Sequence, residues 1–329
     1  MKAVDKEFWK NKQVLITGFE GFLGSNLVKA LLKRRVKVVG LDIKTFRKKT
    51  LLCPQDYKKM VVYKGSVANR NLVRGILRKH SINVIFHLAA EAIVSRSQEN
   101  PLNTFKSNIA GTWEVLEAAR LQGNVQAIVV ASSDKAYGSH KKLPYREDAP
   151  LIANHPYDVS KSCADLIANT YFHTYGLPIA ITRCGNIYGP GDFNFSRLIP
   201  DAMRCLAIDK TLQIRSDGTF VRDYVYIDDI VAGYIRIAEL LEKCKLAGEV
   251  FNLSDEKPLT VIKLLKEINR INFCGNKLNY KIMNTAKYEI KEQYLSAAKA
   301  RRILGWKPNH SLIEGLKESM AFYIGYFNK

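Results

Sequence analysis

The sequence predicts an α/β fold, a doubly wound parallel sheet followed by a smaller C-terminal α/β domain. Three observations lead there. Short apolar runs alternate with amphipathic helical stretches through the first 183 residues. That rhythm breaks near residue 184, where glycine and proline cluster. The chain of 329 residues is 47% hydrophobic, enough for a sizeable core rather than a disordered chain. At about 150 residues per domain, it has room for roughly two domains.

Residues 14–17 open the alternation, followed by a helical run over 22–33 and a strand over 36–41. A strand at 60–63, a helix near 71–79 and a strand at 84–87 come next. A longer helix near 102–121 precedes a strand at 127–131, and another near 158–175 precedes one at 179–182. Short apolar strands separated by helices belong to a parallel sheet covered on both faces. Beyond 185–191 a helix is expected near 196–208, a strand over 211–214 and a turn at 216–218. Helices near 261–271, 296–304 and 311–326 make the C-terminal third a smaller lid. Residues 1–183 with about 220–253 are assigned to the sheet domain, and about 184–219 with 254–329 to the smaller one. No repeats are visible. In doubly wound sheets ligands sit beyond the carboxyl ends of the strands, so chemistry is sought there.

Composition excludes several classes. No apolar run approaches the roughly 18–20 residues that span a bilayer, and residues 1–10 are too charged for a secretory signal. The six cysteines (Cys53, Cys163, Cys184, Cys205, Cys244, Cys274) are irregularly spaced with no C-x-x-C pair. That argues against zinc and a disulfide framework and fits a reducing cytoplasm. The 51 Lys+Arg against 31 Asp+Glu give a formal charge of +20, which admits nucleic-acid or membrane readings. The basic residues are scattered through predicted helices, however, and read as solvated surface with a bias towards phosphate-bearing ligands. No nucleic-acid, membrane or metal partner is expected.

Gly18-Phe19-Glu20-Gly21-Phe22-Leu23-Gly24 directly follows the first strand and opens a helix. Gly18 permits the tight turn, Gly21 lets the backbone approach a pyrophosphate, and Gly24 allows close helix–strand packing. Helix N-terminal amides then face the anion. The spacing is G-x-x-G-x-x-G, a variant of the dinucleotide-binding pattern; a glycine triad alone commonly just makes turns, but its place between strand and helix strengthens it. Asp42 ends the second strand, 18 residues after Gly24, where a carboxylate accepts from a ribose 2′-hydroxyl and favours NAD over NADP. Lys44 and Arg47 leave NADP open, and the bland reading of Asp42 is a solvated strand-end acid paired with Lys44.

Tyr157-Asp158-Val159-Ser160-Lys161 sets a phenol and an ammonium four residues apart on one helix face. A free tyrosine has a pKa of about 10, and a neighbouring cation and a nicotinamide ring would lower it. Its phenolate would then take a hydroxyl proton while hydride leaves for NAD. Y-x-x-x-K is common by chance. Here it follows a nucleotide-binding half, and Ser132-Ser133-Asp134-Lys135 ends the strand upstream, with Ser133 24 residues before Tyr157.

On these residues the chain resembles the extended short-chain dehydrogenase/reductase superfamily, specifically its NAD-dependent nucleotide-sugar epimerase/dehydratase family. The resemblance covers nearly the whole chain. It is carried by the glycine heptapeptide, His87-Leu88-Ala89-Ala90, Asn108-Ile109-Ala110-Gly111-Thr112, the Tyr157 pentapeptide, Arg183-Cys184-Gly185-Asn186-Ile187-Tyr188-Gly189-Pro190-Gly191, Arg222-Asp223-Tyr224-Val225 and Leu304-Gly305-Trp306-Lys307-Pro308. It implies a Rossmann-like NAD-binding domain and a smaller nucleotide-sugar-binding domain. It further implies that Gly18, Gly21, Phe22, Leu23, Gly24, Asp42, Leu88, Ala89, Ala90, Asn108, Tyr157 and Lys161 hold NAD. Ser133 would bond the substrate hydroxyl beside Tyr157, while Lys161 holds the nicotinamide ribose and lowers the tyrosine pKa. Asn186 and Arg222 match positions contacting the substrate diphosphate, although Arg222 taken alone reads equally as a partner of Asp223. The sugar pocket is expected around Asn194, Phe195 and Arg197.

Within the family, Ser133-Asp134-Lys135 discriminates. Epimerases usually lack an acid–base pair here, dTDP-glucose 4,6-dehydratases carry Asp-Glu, and Asp-Lys looks like the CDP-glucose 4,6-dehydratases and the inverting UDP-N-acetylglucosamine dehydratases. Phe8-Trp9-Lys10-Asn11-Lys12 and Gly189-Pro190-Gly191-Asp192 leading to Arg197-Leu198-Ile199-Pro200-Asp201 also look like the CDP-glucose enzymes. Asp134 would be the acid and Lys135 the base for eliminating water across C5 and C6, each with a shifted pKa. Lys161 or Lys141 would help shift the amine. The competing reading is a surface Asp134–Lys135 ion pair. Two departures are visible. Ser66-Val67 stands where relatives carry an acid contacting adenine, and Arg222-Asp223-Tyr224 follows the general family pattern rather than that of the CDP-glucose enzymes.

His87 reads as a satisfied core histidine, Arg96 as an exposed arginine and Trp306 as lid packing. His140, His155, His173 and His310 show no metal spacing. The leading expectation is a nucleotide-hexose 4,6-dehydratase with tightly bound NAD and a CDP-glucose-like substrate. The alternatives are a UDP-hexose 4-epimerase-like or CDP-sugar 2-epimerase-like enzyme, and a catalytically idle NAD- or nucleic-acid-binding protein. The helices near 102–121 and 158–175 carry apolar faces beyond what one sheet needs, so a homodimer through a four-helix contact is expected from the resemblance.

Overall fold

A computed structural model describes residues 6–328 apart from 242, 244, 273, 274, 276, 287 and 288. Residues 1–5 of the charged start, Cys244 and Cys274 lie outside the described residues. Six strands, β1 (Gln13–Thr17), β2 (Lys37–Asp42), β3 (Met60–Lys64), β4 (Val84–His87), β5 (Ala127–Ala131) and β6 (Ile179–Cys184), are joined by a seventh at Val250–Leu253. Across the sheet the order is Val250–Leu253, β6, β5, β4, β1, β2, β3, and every pairing is parallel. Thr17 lies level with Leu41 and His87, and His87 with Val130. Residues 18, 42, 88 and 131 therefore leave the sheet at one edge. The order reverses between β1 and β4, the place where a doubly wound sheet opens a ligand crevice.

Alternation along the strands divides the core. Val14, Ile16, Phe86 and Val129 pack with the helices Phe22–Lys33 and Ile227–Leu241. Leu15, Ile85, Ile128 and Val130 pack with Arg70–His80, Gly111–Gln122 and Pro156–Tyr175 on the other face. Each fully buried aliphatic side chain contributes about 1.5–3 kcal/mol relative to exposure. This is the doubly wound α/β sheet the sequence predicts.

The elements depart from expectation in several places. The helix Ile227–Leu241, buried at Ile227, Ile230, Tyr234, Ile235 and Ile237, is not among the helices expected from the sequence. The helix expected near 102–121 is broken into Pro101–Phe105, a π-helical turn Lys106–Ala110 and Gly111–Gln122. The helix expected near 296–304 ends in a π-helical turn, Ala300–Leu304. In the C-terminal part, Val221–Arg222 lies between Leu259–Thr260 and Glu292–Gln293, and Asn186–Tyr188 pairs with Tyr224–Tyr226. Leu212–Ile214 pairs with Tyr280–Ile282. Strands of two or three residues are too short to show a period.

No helix among the described residues is long and apolar enough to cross a membrane. Cys53, Cys163, Cys184 and Cys205 are free thiols.

Candidate active site

The glycine loop is built without side chains in its path. Gly18 turns at φ +71°, and a Cβ there would lie 2.9 Å from the Ala89 backbone. A Cβ on Gly24 would lie 2.2 Å from the Gly18 carbonyl oxygen. The Gly21 amide donates to that oxygen at 3.0 Å, and Gly21 caps the helix Phe22–Lys33 with no side-chain bond. The first-turn amides of Phe22, Leu23 and Gly24 are thus left to an anion, and no acidic residue in that turn opposes one. This cradle fits the pyrophosphate of a dinucleotide. Beside it the Thr17 hydroxyl accepts from the amides of Leu88 and Ala89, both at 3.1 Å. That pins the exit of β4, and with it Ala90, against the loop.

Asp42 is buried, so the solvated reading fails. Lys44 offers it only a backbone amide, while the Arg47 guanidinium forms the ion pair. Burial raises the Asp42 carboxyl above its ordinary value, against the pull of Arg47. Glu20, also buried, accepts from the Arg47 amide at 2.8 Å and the Tyr57 hydroxyl at 2.8 Å, folding the segment after β2 over the loop. Sequence reasoning gave Glu20 no role; its place inside the glycine heptapeptide was the available signal. At the departure noted at 66–67, Val67 is buried and the Ser66 hydroxyl accepts from the Ala68 amide. Asn108 lies in the π-helical turn, accepts from the Glu91 amide at 2.7 Å and donates to Ser160 Oγ at 2.9 Å. It ties the π turn to the helix bearing Tyr157 and Lys161.

The expected reacting groups converge beyond β5. Ser133 caps a short turn, Asp134–Tyr137; its hydroxyl accepts from the Lys135 amide and donates to Asp134 Oδ1 at 2.9 Å, and it stands beside the Tyr157 phenol, on which it acts. Lys161 donates to the Ala131 carbonyl at 2.8 Å, and burial brings its pKa down to about 8. Tyr157 runs against expectation. Burial pushes it up to about 12, with Ser133 and Arg197 pulling down and Asp134 and Asp158 pushing up. Among the groups that act on it, Arg197 is the cation, where Lys161 was expected.

Asp134 is buried, which rules out a surface ion pair, and its Oδ2 has no hydrogen-bond partner among the described residues. The Lys135 ammonium donates to Gln293. Burial and the nearby Arg222 lower its pKa, while Asp134, Asp158 and Glu289 oppose the shift. Asp158, which sequence reasoning passed over despite its place beside Tyr157, is buried and raised to about 6, with Lys135 opposing.

Arg222 does not pair with Asp223. Its guanidinium donates to the carbonyls of Val221 at 2.7 Å, Lys291 at 2.9 Å and Ile290. Asp223 instead accepts from Ser254 and the Leu295 amide. Asn186 donates to the Asp223 carbonyl at 3.3 Å. Arg197 pairs with Asp192 at 2.9 Å beside Tyr157. The Asn194 side chain turns back on its own loop, accepting from Ser196 Oγ at 2.6 Å, so it is not aimed with the others. His87 is a satisfied core histidine, bonded to Thr17 at 2.9 Å and Thr112 at 3.2 Å. Trp306 is buried and donates to the Asp229 carbonyl, and Arg96 is exposed. No cluster of His, Cys, Asp and Glu suited to a metal ion occurs among the described residues.

A parallel sheet with a side-chain-free phosphate loop at its switch point and a Ser–Tyr–Lys set at the same edge defines a short-chain dehydrogenase/reductase. The profile of the family described as GDP-mannose 4,6 dehydratase matches residues 15–319, and the chain belongs to this family, among the NAD-dependent nucleotide-sugar epimerases and dehydratases of that superfamily. It is 32% identical over 323 residues to a UDP-glucuronate 4-epimerase of Thermodesulfobacterium geofontis, covering 93% of this chain and 94% of that protein. It is 29% identical to the CDP-glucose 4,6-dehydratase of Salmonella typhimurium, covering 95% of this chain and 90% of the relative. The crystal structure of a dTDP-glucose 4,6-dehydratase from Streptomyces venezuelae with NAD bound superposes with a TM-score of 0.84 at 30% identity, covering 94% and 96% of the two chains. The chain is thus an enzyme of the nucleotide-sugar dehydratase/epimerase family.

Proposed function

We propose that this enzyme is an NAD-dependent nucleotide-hexose 4,6-dehydratase that takes a CDP-glucose-like substrate to the 4-keto-6-deoxy sugar. The observation that carries this reading is Asp134 and Lys135, an acid and an amine set beyond β5 beside Ser133 and Tyr157. The glycine cradle, Asp42, the Leu88–Ala90 segment, Asn108 and Lys161 would hold NAD, in keeping with the NAD-bound structural relatives. When bound, NAD supplies a cationic ring that accepts the C4 hydride and later returns it at C6.

The protein's own groups handle the protons. Tyr157 would take the proton of the C4 hydroxyl as its phenolate, a form that burial disfavours and that the positive charge of a bound nicotinamide ring, with Ser133 and Arg197, would favour. A ketone at C4 acidifies the C5 proton, which Lys135 removes; burial beside Arg222 makes its amine the weaker proton holder this requires. Asp134 gives a proton to the departing C6 hydroxyl, which leaves as water, and the protonated Lys135 gives a proton, exchanged with solvent, back to C5 as hydride reaches C6. Asn186 and Arg197 would orient the substrate. Arg222, spent on three carbonyls, would act on it through charge.

A second reading is a nucleotide-sugar 4-epimerase. It is favoured by the 32% identical epimerase and by the Ser133 hydroxyl, which occupies one oxygen of Asp134. Incubation with CDP-glucose, dTDP-glucose, GDP-mannose and UDP-N-acetylglucosamine in D2O separates the two. The dehydratase gives a 4-keto-6-deoxy product with deuterium at C5; inverted sugar without water loss establishes the epimerase instead. Tyr157→Phe should abolish ketone formation, whereas Lys135→Ala should oxidise C4 yet stall elimination by about 100-fold or more. Full product formation by the Lys135 variant would remove that residue from the mechanism. The enzyme is further proposed to work as a homodimer, and its free thiols fit a reducing, cytoplasmic setting.

A further inference from the structure

One side chain reaches the reacting pair from the far end of the chain. Gln293 is fully buried on the strand Glu292–Gln293, which runs parallel to Val221–Arg222 with Gln293 opposite Arg222. Its Oε1 accepts from Lys135 Nζ, and its Nε2 donates to the Asp134 carbonyl at 2.8 Å. A single amide thus grips the ammonium of one residue and the backbone of the other. We propose that Gln293 is the positioning residue for Lys135, holding its nitrogen at the carboxyl edge of β5 through a neutral acceptor. This rests on reading Lys135 as the base that removes the C5 proton.

The neutrality of the amide is what suits it to a lysine that gains and loses a proton. An amide oxygen accepts from an ammonium and from a neutral amine alike, so Nζ keeps its place before and after taking a proton. A carboxylate at 293 would favour the charged form and make the amine a poor proton acceptor. An aliphatic side chain there would release Nζ towards the acids around it. Those are Asp134 on its own turn, Asp158 on the helix Pro156–Tyr175, and Glu289 from the segment leading to Gln293. Arg222 faces Lys135 from the neighbouring strand and disfavours its protonation. A charge at position 293 would therefore act directly on the electrostatic balance at Lys135.

The test uses the full chain with NAD bound, as Gln293→Glu and Gln293→Leu. Three readouts are followed: reduced nicotinamide for C4 oxidation, deuterium wash-in at C5 against pH, and acetylation of Lys135 by acetic anhydride against pH, resolved by peptide mass spectrometry. Gln293→Glu should move the acid limb of C5 exchange and the half-point of Lys135 acetylation upward by about one pH unit or more. Gln293→Leu should cut C5 exchange roughly 10–100-fold while C4 oxidation persists. Unshifted acetylation in Gln293→Glu overturns the proposal, as does a parallel fall of C4 oxidation and C5 exchange in both variants, the mark of a merely structural residue. Should the parent enzyme give no 4-keto-6-deoxy product from any sugar nucleotide, the dehydratase reading falls by itself. The acetylation profile still decides whether Gln293 governs Lys135.

Discussion

Several titratable side chains at the site lie in dry surroundings, and desolvation moves His87, Lys135 and Lys161 down and Asp42, Tyr157 and Asp158 up. His87 shows the consequence most simply. Held between Thr17 and Thr112 under the cofactor loop, it is pushed down to about 3 by burial and by the nearby Lys161. The unfolded chain takes up a proton near pH 6.5 while the folded protein stays neutral there, so stability is lost as pH falls through the interval from about 6.5 to 3. At pH 5 the loss amounts to about 2 kcal/mol. Urea unfolding at pH 7.5 and 5.0 should show it, and His87→Gln should lose about that much less between the two pH values. Equal losses in parent and variant would mean the imidazole is free to protonate in place. Ser133, Asp134, Lys135, Tyr157 and Lys161 were legible in the sequence because each motif is contiguous and its spacing carries the geometry. The partners were not. Gln293 meets Lys135 across 158 residues, and the adjacent Arg222 and Asp223 diverge because neighbours in extended chain point to opposite faces.

Among the elements, the glycine loop is the part the sequence describes most fully, since the turn, the close approach and the uncapped helix each demand a missing side chain. Gly24→Val tests that demand. Its Cβ would meet the Gly18 carbonyl at 2.2 Å and Phe19 Cα at 2.8 Å, both backbone atoms, so the loop must shift instead of a side chain swinging away. The expected outcome is a cost of about 1–3 kcal/mol in stability. Copurifying NAD should also be lost, read from nucleotide released on denaturation. A variant that keeps both its melting temperature and its NAD would show that the phosphates bind elsewhere. The π turn Lys106–Ala110 was hidden for the opposite reason. It inserts one residue's worth of offset into an otherwise helical pattern, which turns Asn108 inward to Glu91 and Ser160, and periodicity averaged over a window smooths such an offset away.

At the scale of the whole molecule, the face that remains is the pair of helices Gly111–Gln122 and Pro156–Tyr175 with the turns before the first. Leu102 and Trp113 are exposed and Ile109 is half-buried along the first segment; Val159, Cys163 and Leu166 recur at helical spacing on the neighbouring helix, with Leu166 exposed. Around them stand the ion pairs Arg70–Glu114 and Arg120–Glu117. An apolar stripe with a charged border on two adjacent helices suits a two-fold four-helix contact with a second copy, in which each stripe residue is buried twice. Its stripes were legible as surplus apolar positions, but which residues stay outside could be assigned only once the sheet had claimed its share. Trp113→Glu with Leu166→Glu changes four side chains across such an interface, each contributing about 1.5–3 kcal/mol when buried. Even after partial compensation the dimer should weaken by more than about a thousandfold. Sedimentation velocity should then report about twice the 37.3 kDa chain mass for the parent and the chain mass for the double variant, with far-UV circular dichroism unchanged. A parent that sediments as a single chain, or a double variant that stays paired, would show that these helices face solvent and that the surplus apolar stripe serves something other than a second copy.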